Sequence, residues 1–433
     1  MVRPAPVAVS GADGAVRKSI FDPIHGVIAI HGPALDLIQL PPFQRLWGIR
    51  QTGFAHLVFP GANHTRLEHS LGVYSVAGSM AERLGFDAAD AARVTCGALL
   101  HDLGHSPFSH TLEATMREVL GHGHEQESRA RILGELRSEP TEGTRAEPPT
   151  VADVLEHHHV IPREVADLVD PRPRGRHRAL QREMLHGAID ADRIDYLQRD
   201  AHYTGVAHGA IDAVRLLDTV RQSRGQLAFA EKGRAAVEGF LVGRALMYSS
   251  VYYHKTVRAA EVMAQGAVER ISGYPAAAEP LLRGNDGGLM ATLEREPGVP
   301  ARLARALLER RLYKRAFGWA APSAAGRRRF RALITDPAAR RSAEDGLAEK
   351  LGAPAGSVLL DLAGLEGRTS PESDWAEITI VDGDRLSHPF RAPSVWQALA
   401  MRPPTRSLVS LYAEPRLVPE IARRGERDRL DLP

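Results

Sequence analysis

Two histidines and two carboxylates in this sequence could share one metal ion. His101 and Asp102 are neighbours in ALLHDLGHSPFSH, His69 lies upstream in NHTRLEHSLG, and Asp192 lies downstream in DADRIDYLQRD. Imidazole and carboxylate together form a borderline ligand set that suits Fe, Mn, Zn or Mg. Adjacent residues on a helix diverge by about 100°, so His101 and Asp102 can reach one ion only from a helix end or a close-packed inner turn. Gly104 follows at once and would let the backbone turn away from the pair.

An HD dipeptide alone is a weak signal, because a buried hydrogen-bonded His–Asp pair accounts for it equally well. The surrounding residues favour a site. Arg66 precedes His69 by one helical turn, on the same face. Asp192, Tyr196 and Asp200 follow one another at four-residue spacing, which places a carboxylate, an aromatic ring and a second carboxylate on one helical face. Such ionisable groups are costly to bury unless they bind something.

The elements that position these residues are predicted to be mainly helical. FDPIHGVIAIHG indicates a short hairpin, because its apolar residues alternate between Pro and Gly. RLEHSLGVYSVAGSMAERL carries a broad apolar stripe, and the second half of DAADAARVTCGALLHDLGH is apolar nearly all round, which is typical of a buried helix. SVLLDLAG and AEITIVDGDRL are typical of strands. We expect a flexible arm over 1–18, a helical core over 19–273, and a smaller α+β lobe over 274–433.

Composition narrows the class of protein. The chain has 433 residues, of which 43% are hydrophobic and 25% charged, and its formal net charge of +2 gives no global attraction to nucleic acid. The single cysteine, Cys96, excludes an intrachain disulfide and fits a reducing compartment. No stretch approaches the ~18 apolar residues that cross a bilayer. These features predict a cytoplasmic globular protein without a membrane partner, and RRRFR around Arg328 is more typical of a solvated helix face than of a nucleic-acid site.

Taken together, the motifs resemble the HD-domain deoxynucleoside triphosphate (dNTP) triphosphohydrolases. The match runs in order through FDPIHG, VFPGANHTRLEHSLG, LLHDLGHSPFSH, GHEQES, DADRIDYLQRD and VYYHK, and thins out beyond about Ile271. The resemblance implies a mainly α fold, with an HD-domain helical core and the smaller C-terminal α+β lobe. It also implies one divalent metal ion in the HD site, additional Mg on the triphosphate of a dNTP substrate, and a homo-oligomer, either a dimer or a tetramer.

The resemblance implies a role for each matching residue. The implied metal ligands are His69, His101, Asp102 and Asp192. The implied catalytic histidines and their carboxylate support are His105, His110, His124 and Glu125. The residues implied to hold the triphosphate, sugar and base are Gln51, Arg66, Arg193, Tyr196, Asp200, Arg244 and Tyr252.

The expected reaction is attack of water on the α-phosphorus, with release of intact triphosphate and a deoxynucleoside. The bound cation lowers the pKa of water and polarises a phosphoryl oxygen. His110 is expected to protonate the leaving 5′-oxygen, with Glu113 one turn later orienting its ring. His105 and His124 are expected to contact the phosphates, whose charge Arg66 and Arg193 neutralise.

The sequence departs from the family pattern at two places. Gln39 and Trp47 stand where the vertebrate member reads an activating guanine nucleotide, so activation by another nucleotide, or by none, stays open. Thr52 replaces a bulky apolar residue beside the sugar 2′ position, which could relax the exclusion of ribonucleotides.

Two other functions compete with dNTP hydrolysis. The same metal site could act on a nucleoside monophosphate, a cyclic nucleotide or (p)ppGpp, although Arg66, Arg193 and Arg244 supply more cations than a monophosphate requires. A catalytically silent nucleotide sensor is the second alternative, and the intact ligand set argues against it.

Overall fold

The computed structural model describes residues 17–137, 148–170, 179–319, 324–362, 375–389 and 409–426. Helices dominate these residues, which confirms the mainly α fold class. Strands β1 (Arg17–Asp22) and β2 (Gly26–His31) form the hairpin that the sequence predicts, antiparallel and with Arg17 opposite His31. Of the arm expected over 1–18, residues 1–16 lie outside the described part, and residues 17 and 18 already belong to β1.

Ten helices follow the hairpin, up to the end of the HD motifs. They are α1 (Pro33–Leu37), α2 (Pro41–Gln44), α3 (Arg66–Arg83), α4 (Ala88–Leu100), α5 (Glu113–Leu120), α6 (His124–Ile132), α7 (Val151–His157), α8 (Pro162–Val169), α9 (Ala179–His186) and α10 (Ala191–Thr204).

The remaining described helices and strands alternate toward the C-terminus. The helices are α11 (Ala213–Thr219), α12 (Arg234–Met247), α13 (Lys255–Val268), α14 (Glu279–Leu282), α15 (Asp286–Arg295), α16 (Val299–Leu308), α17 (Ala324–Thr335), α18 (Pro337–Lys350) and α19 (Val418–Glu426). The strands are β3 (Val220–Ser223), β4 (Gln226–Ala230), β5 (Lys314–Trp319), β6 (Val358–Asp361), β7 (Thr379–Asp382), β8 (Arg385–Ser387) and β9 (Val409–Ala413).

Capping fixes where the two helices before the HD motif begin. Thr65 and Glu68 form a capping box at the start of α3, which satisfies backbone N–H groups that a helix leaves without partners. Asp87 caps α4 by accepting a hydrogen bond from the backbone N–H of Asp90. Helix α4 ends at Leu100, so His101 and Asp102 lie at the helix end, where the sequence requires them if both are to reach one ion.

The strands predicted in the C-terminal part are present, and one of their two sheets also contains strands from the first part of the chain. β6 belongs to a three-stranded antiparallel sheet of order β5-β9-β6, which supplies the α+β character. β7 instead pairs in parallel with β4 and extends the hairpin β3-β4 into the sheet β3-β4-β7-β8.

The hydrophobic cores also cross residue 273. One core contains Met80 of α3, Phe240 of α12 and Ile380 of β7, and another contains Phe108 of the HD motif together with Leu289 of α15. The C-terminal part is therefore packed into the helical core that carries the HD motifs. Among the described helices, none combines the length and apolar composition that spanning a bilayer requires.

Candidate active site

Three of the four predicted metal ligands converge from three helices. His69 lies in the first turn of α3, His101 at the end of α4, and Asp192 in the first turn of α10, and one ligand atom from each lies within 4.8 Å of the others. The fourth, Asp102, adjoins them. Its Oδ1 lies 3.2 Å from His101 Nε2, and its Oδ2 lies 3.5 Å from His69 Nε2.

The two imidazoles are oriented through their Nδ1 atoms. His69 Nδ1 donates to Asp195 Oδ2 at 2.7 Å, and His101 Nδ1 donates to the carbonyl oxygen of Ala98 at 2.7 Å. Both Nε2 atoms are buried and form no hydrogen bond within the described part of the chain, although His69 Nε2 lies 3.1 Å from Asp192 Oδ1. Donation through one nitrogen leaves the other as a metal ligand. This donor set fits the divalent ion that the HD motif implies.

The sequence motifs did not identify Asp195, a buried carboxylate that lies behind the predicted metal ligands. Asp195 accepts from His69 on one oxygen and from His25 Nε2 on the other, at 2.6 Å. Arg199, one turn later in α10, donates to both oxygens at 2.9 Å and to Asp22 at 2.8 Å. Asp22 and His25 are the polar residues of FDPIHG, and Asp195 follows Asp192 by three residues, which is the signal that could have found this network.

These carboxylates make the centre favourable to positive charge. Burial alone lowers the pKa of His69, but Asp192, Asp195 and Asp102 outweigh it and raise that pKa to about 10. Burial alone raises the pKa of Asp102, but the charge of Arg66 and the neighbouring histidines holds it well below its usual value.

Arg66, which the sequence predicts on the phosphates, lies against a metal ligand and the turn before His110. This side chain is 2% exposed, donates Nε to Ser109 Oγ at 2.7 Å, and is hydrogen-bonded through a terminal nitrogen to Asp102 Oδ2. Its guanidinium therefore contacts the carboxylate of Asp102 and the hydroxyl of Ser109, the residue before His110. The role of Arg66 on the phosphates comes from the family resemblance and stays a prediction.

A second group of histidines adjoins the ligands. His105, His110, Glu113 and His124 each offer an atom within 4.8 Å of the others, and the rings of His105 and His124 stack at 3.9 Å with 17° between their planes. His105 Nε2 lies 3.2 Å from Asp102 Oδ1, which links this group to the metal ligands.

The carboxylate support in this group differs from the expectation. His124 Nδ1 donates to Glu113 Oε2 at 2.9 Å, so Glu113 orients His124, whereas the sequence assigned it to His110. Glu125, expected to support His124, is exposed, and its charge raises the pKa of His124 less than that of Glu113 does. The first turn of α6 directs residues 124 and 125 to different sides, and only the tertiary contact with α5 brings Glu113 to His124.

The pKa values of the two stacked histidines are shifted in opposite directions. Burial, with the charges of Arg66 and His124, lowers the pKa of His105 well below 6.5. Burial also opposes protonation of His124, but the charge and hydrogen bond of Glu113 outweigh it and raise the pKa of His124 above 6.5. Burial raises the pKa of Glu113, but the charge of His124 and its hydrogen bond reverse the shift and hold that pKa far below 4.5.

Residues predicted to hold the sugar and base share one side of α10. Tyr252 donates to Asp200 Oδ2 at 2.6 Å, and His64 Nε2 donates to Asp200 Oδ1 at 2.7 Å. Tyr196 and Tyr252 are in edge-to-face contact with ring centroids 6.1 Å apart. Gln51 is partly buried, and its Oε1 accepts no hydrogen bond from the described residues.

The two other predicted arginines are close to this region. Arg193 donates to Asp190 Oδ2 at 2.8 Å and to the carbonyl oxygen of Gly187, so its charge is shared with the start of α10. Arg244 is 2% exposed and lies 5.7 Å from the centre of the Tyr248 ring.

Comparison with known families agrees with this geometry. A model of the HD domain matches residues 66–200, and a model of the HD-associated region matches residues 211–432, about half of the chain. The chain belongs to the HD-domain family. The HD-domain match begins at Arg66 and ends at Asp200, so it contains all four predicted metal ligands and the adjoining histidine group.

Relatives of this HD-domain protein include enzymes and uncharacterised proteins. An uncharacterised protein of Methanocaldococcus jannaschii, MJ1154, is 38% identical over 255 residues, covering 58% of this chain and 49% of the relative. Human deoxynucleoside triphosphate triphosphohydrolase SAMHD1 is 33% identical over 220 residues, covering 44% of this chain and 34% of the enzyme. The chain thus spans about half the length, or less, of these curated relatives.

The whole HD-domain chain has a structural counterpart. The crystal structure of a hypothetical protein from Aquifex aeolicus matches with a TM-score of 0.70 at 26% identity, covering 94% of this chain and 99% of that protein.

Proposed function

We propose that this HD-domain protein is a metal-dependent phosphohydrolase that converts a dNTP into a deoxynucleoside and inorganic triphosphate. The observation that carries the proposal is the junction of two groups. The Nε2 atoms of His69 and His101 face Asp192, and Asp102 connects them to a stacked His105–His124 pair in which the pKa of one ring is lowered and that of the other raised. A cation site and a set of proton donors therefore adjoin.

The proposed metal ligands are His69, His101, Asp102 and Asp192, and a divalent ion held there supplies Lewis acidity and lowers the pKa of an attacking water. His124, held by Glu113 and with its pKa raised, supplies positive charge beside the phosphates when it is protonated. His105 is buried, stacks on His124 and directs its Nε2 to Asp102 Oδ1, and its lowered pKa favours the neutral ring. His110 is exposed at the edge of this group, where it can donate a proton to a leaving oxygen.

The dNTP substrate is supported by the relatives and by the side chains around α10. SAMHD1 is named a dNTP triphosphohydrolase, and its match covers the HD region of this chain. Tyr196, Tyr252 and Asp200 supply aromatic faces and a carboxylate next to the ligands, which suits a nucleoside. By the same likeness we propose a cytoplasmic homo-oligomer, either a dimer or a tetramer, with Mg on the triphosphate and an activating nucleotide still to be identified.

The test is a substrate panel. Purified protein is incubated with each of the four dNTPs and four NTPs, with Mn or Mg, and the products are identified by chromatography and phosphorus NMR. Release of inorganic triphosphate and deoxynucleoside is the expected result. Release of orthophosphate or pyrophosphate alone would overturn the substrate assignment and favour a monophosphate, a cyclic nucleotide or (p)ppGpp. Binding of a nucleotide without any turnover would favour the catalytically silent sensor.

A further inference from the structure

The turn that presents His110 has a backbone conformation that ordinary residues avoid. Phe108 has φ of 56° and Ser109 has φ of 58°, both in the left-handed region. Side chains with a Cβ atom adopt this region at a cost in free energy, and consecutive residues of this kind persist only where the surrounding structure holds them. The element that holds this turn therefore decides where His110 points.

That element lies outside the HD-domain match. The carboxylate of Asp286, in the first turn of α15, accepts a hydrogen bond from the backbone N–H of Phe108 at 2.7 Å on Oδ1. Its Oδ2 accepts from the backbone N–H of Arg50 at 3.0 Å. Arg50 in turn accepts a hydrogen bond from Ser109 Oγ at 2.6 Å on its carbonyl oxygen, so Asp286, Arg50 and the turn residues Phe108 and Ser109 close a ring of contacts.

The carboxylate is not needed to cap its own helix. Asn285 already caps α15, because its side chain accepts from the backbone N–H of Gly288 at 2.9 Å. Both oxygens of Asp286 bond to segments more than 170 residues away in the sequence, and the side chain is buried at 4% exposure. A buried carboxylate directed out of its own helix has a tertiary role.

The segment 284–286 is also linked, through Arg45, to the loop 103–110 that carries His105 and His110. Arg45 donates to the carbonyl oxygen of Gly284 and to that of His105, both at 2.8 Å, and to that of Leu103 at 2.7 Å. The segment 284–286 therefore reaches this loop directly at Phe108 and, through Arg45, at Leu103 and His105.

We propose that Asp286 is a positioning residue for His110, so that the C-terminal region completes the active site. This inference rests on the proposed function for its kinetic consequence, while its structural consequence can be measured independently. Asp286→Asn is the direct variant, because an amide has one acceptor oxygen and would turn an NH₂ group toward one of the two N–H donors.

Asp286→Asn is expected to lower kcat at least about tenfold, since small displacements of a catalytic group cost one to two orders of magnitude. KM is expected to stay within about threefold. Gln51, on the substrate side, is held independently by a hydrogen bond from its N–H to the carbonyl oxygen of His64 at 3.0 Å. Hydrogen exchange measured by mass spectrometry is expected to rise in the peptide covering residues 105–112.

Asp336→Ala is the matched control. Asp336 caps α18 by accepting from the backbone N–H of Ala339 at 2.9 Å, so its loss destabilises the C-terminal region without touching the turn. It is expected to lower the melting temperature while leaving kcat and the exchange of residues 105–112 unchanged.

Unchanged kcat and unchanged exchange in a folded Asp286→Asn protein would overturn the proposal, as would equal effects of Asp336→Ala. If Asp286→Asn does not fold, Asp286→Glu keeps the charge at the helix start but displaces the acceptor oxygens, and the same two measurements decide. If the wild-type protein hydrolyses no dNTP, the proposed function fails, and the exchange measurement alone decides the positioning role.

Discussion

The two groups of histidines in this molecule differ in what their ring nitrogens contact. His69 and His101 each donate Nδ1 to a fixed acceptor behind the ring, and their Nε2 atoms face one another across Asp192. His105 and His124 stack face to face, and His124 is paired with Glu113. Nε2 atoms left without a hydrogen bond among the described residues suit a shared cation, whereas a ring paired with a carboxylate, as His124 is with Glu113, is suited to holding a proton.

The difference shows that the chemistry available to neighbouring histidines of one motif depends on which groups contact each ring. His101 and His105 are four residues apart in HDLGH, yet one is directed by a backbone carbonyl and the other by burial between Arg66 and His124. Four experiments can break or sharpen this comparison.

His101→Gln tests the convergent group, which consists of His69, His101, Asp102 and Asp192. It is expected to have the largest effect on activity. Losing this nitrogen should lower activity roughly 10³-fold or more, the scale on which charge-stabilising groups contribute to catalysis. The metal content of the purified protein, measured by inductively coupled plasma mass spectrometry, should fall in parallel. His158→Gln is the matched control, because His158 lies at the surface with Asp36 as its partner. Equal metal content in the two variants would contradict the ligand assignment.

Asp195→Asn tests the network behind the convergent group. It should weaken metal binding about 10–100-fold, as losses of outer-shell partners do. It should also lower the free energy of unfolding by about 3–5 kcal/mol, because Arg199 loses a buried partner. Metal titration and chemical denaturation measure the two effects. Asp218→Asn, which breaks the surface pair with Arg83, should change stability by less than about 1 kcal/mol.

Glu113→Gln tests the stacked pair of His105 and His124 through the pH dependence of stability and activity. The raised pKa of His124 means that its pairing stabilises the fold fully below pH 6.5 and is lost as pH rises through that raised pKa. The lowered pKa of Glu113 means that the same pairing is present above pH 4.5 and lost only in strong acid. The variant should therefore lose stability most between these values, and its activity should decline at lower pH than that of the wild type. Coincident pH profiles for activity and unfolding in both proteins would exclude this pairing.

The smallest effect is expected from Glu125→Gln, the surface counterpart of Glu113→Gln. Glu125 is exposed, so the change should alter activity by no more than about twofold, the usual range for surface substitutions. A steady-state rate measured beside that of Glu113→Gln checks this. A loss of activity as large as that of Glu113→Gln would show that Glu125 supports His124.

Local patterns could be predicted because they depend on neighbours in the sequence. The hairpin of FDPIHG, the end of α4 at the HD pair and the strands β6 and β7 follow from apolar periodicity and capping residues. Gly104 shows the limit of such inference. The chain turns at 101–104 as expected, but Gly104 has no positive φ, and a side chain there would collide with the backbone of His124 and Ser128.

By itself, the sequence predicted which groups could do chemistry: His69, His101, Asp102 and Asp192 as metal ligands, with histidines beside them. Only the tertiary structure decided which carboxylate serves which ring. Glu113 rather than Glu125 reaches His124, and Asp195 reaches His69 across two helices. Asp286 meets the turn of His110 from a segment 178 residues further on. The physical reason is that a hydrogen bond depends on distance in space to a few tenths of an ångström, and residue spacing fixes that distance only within one helix or strand.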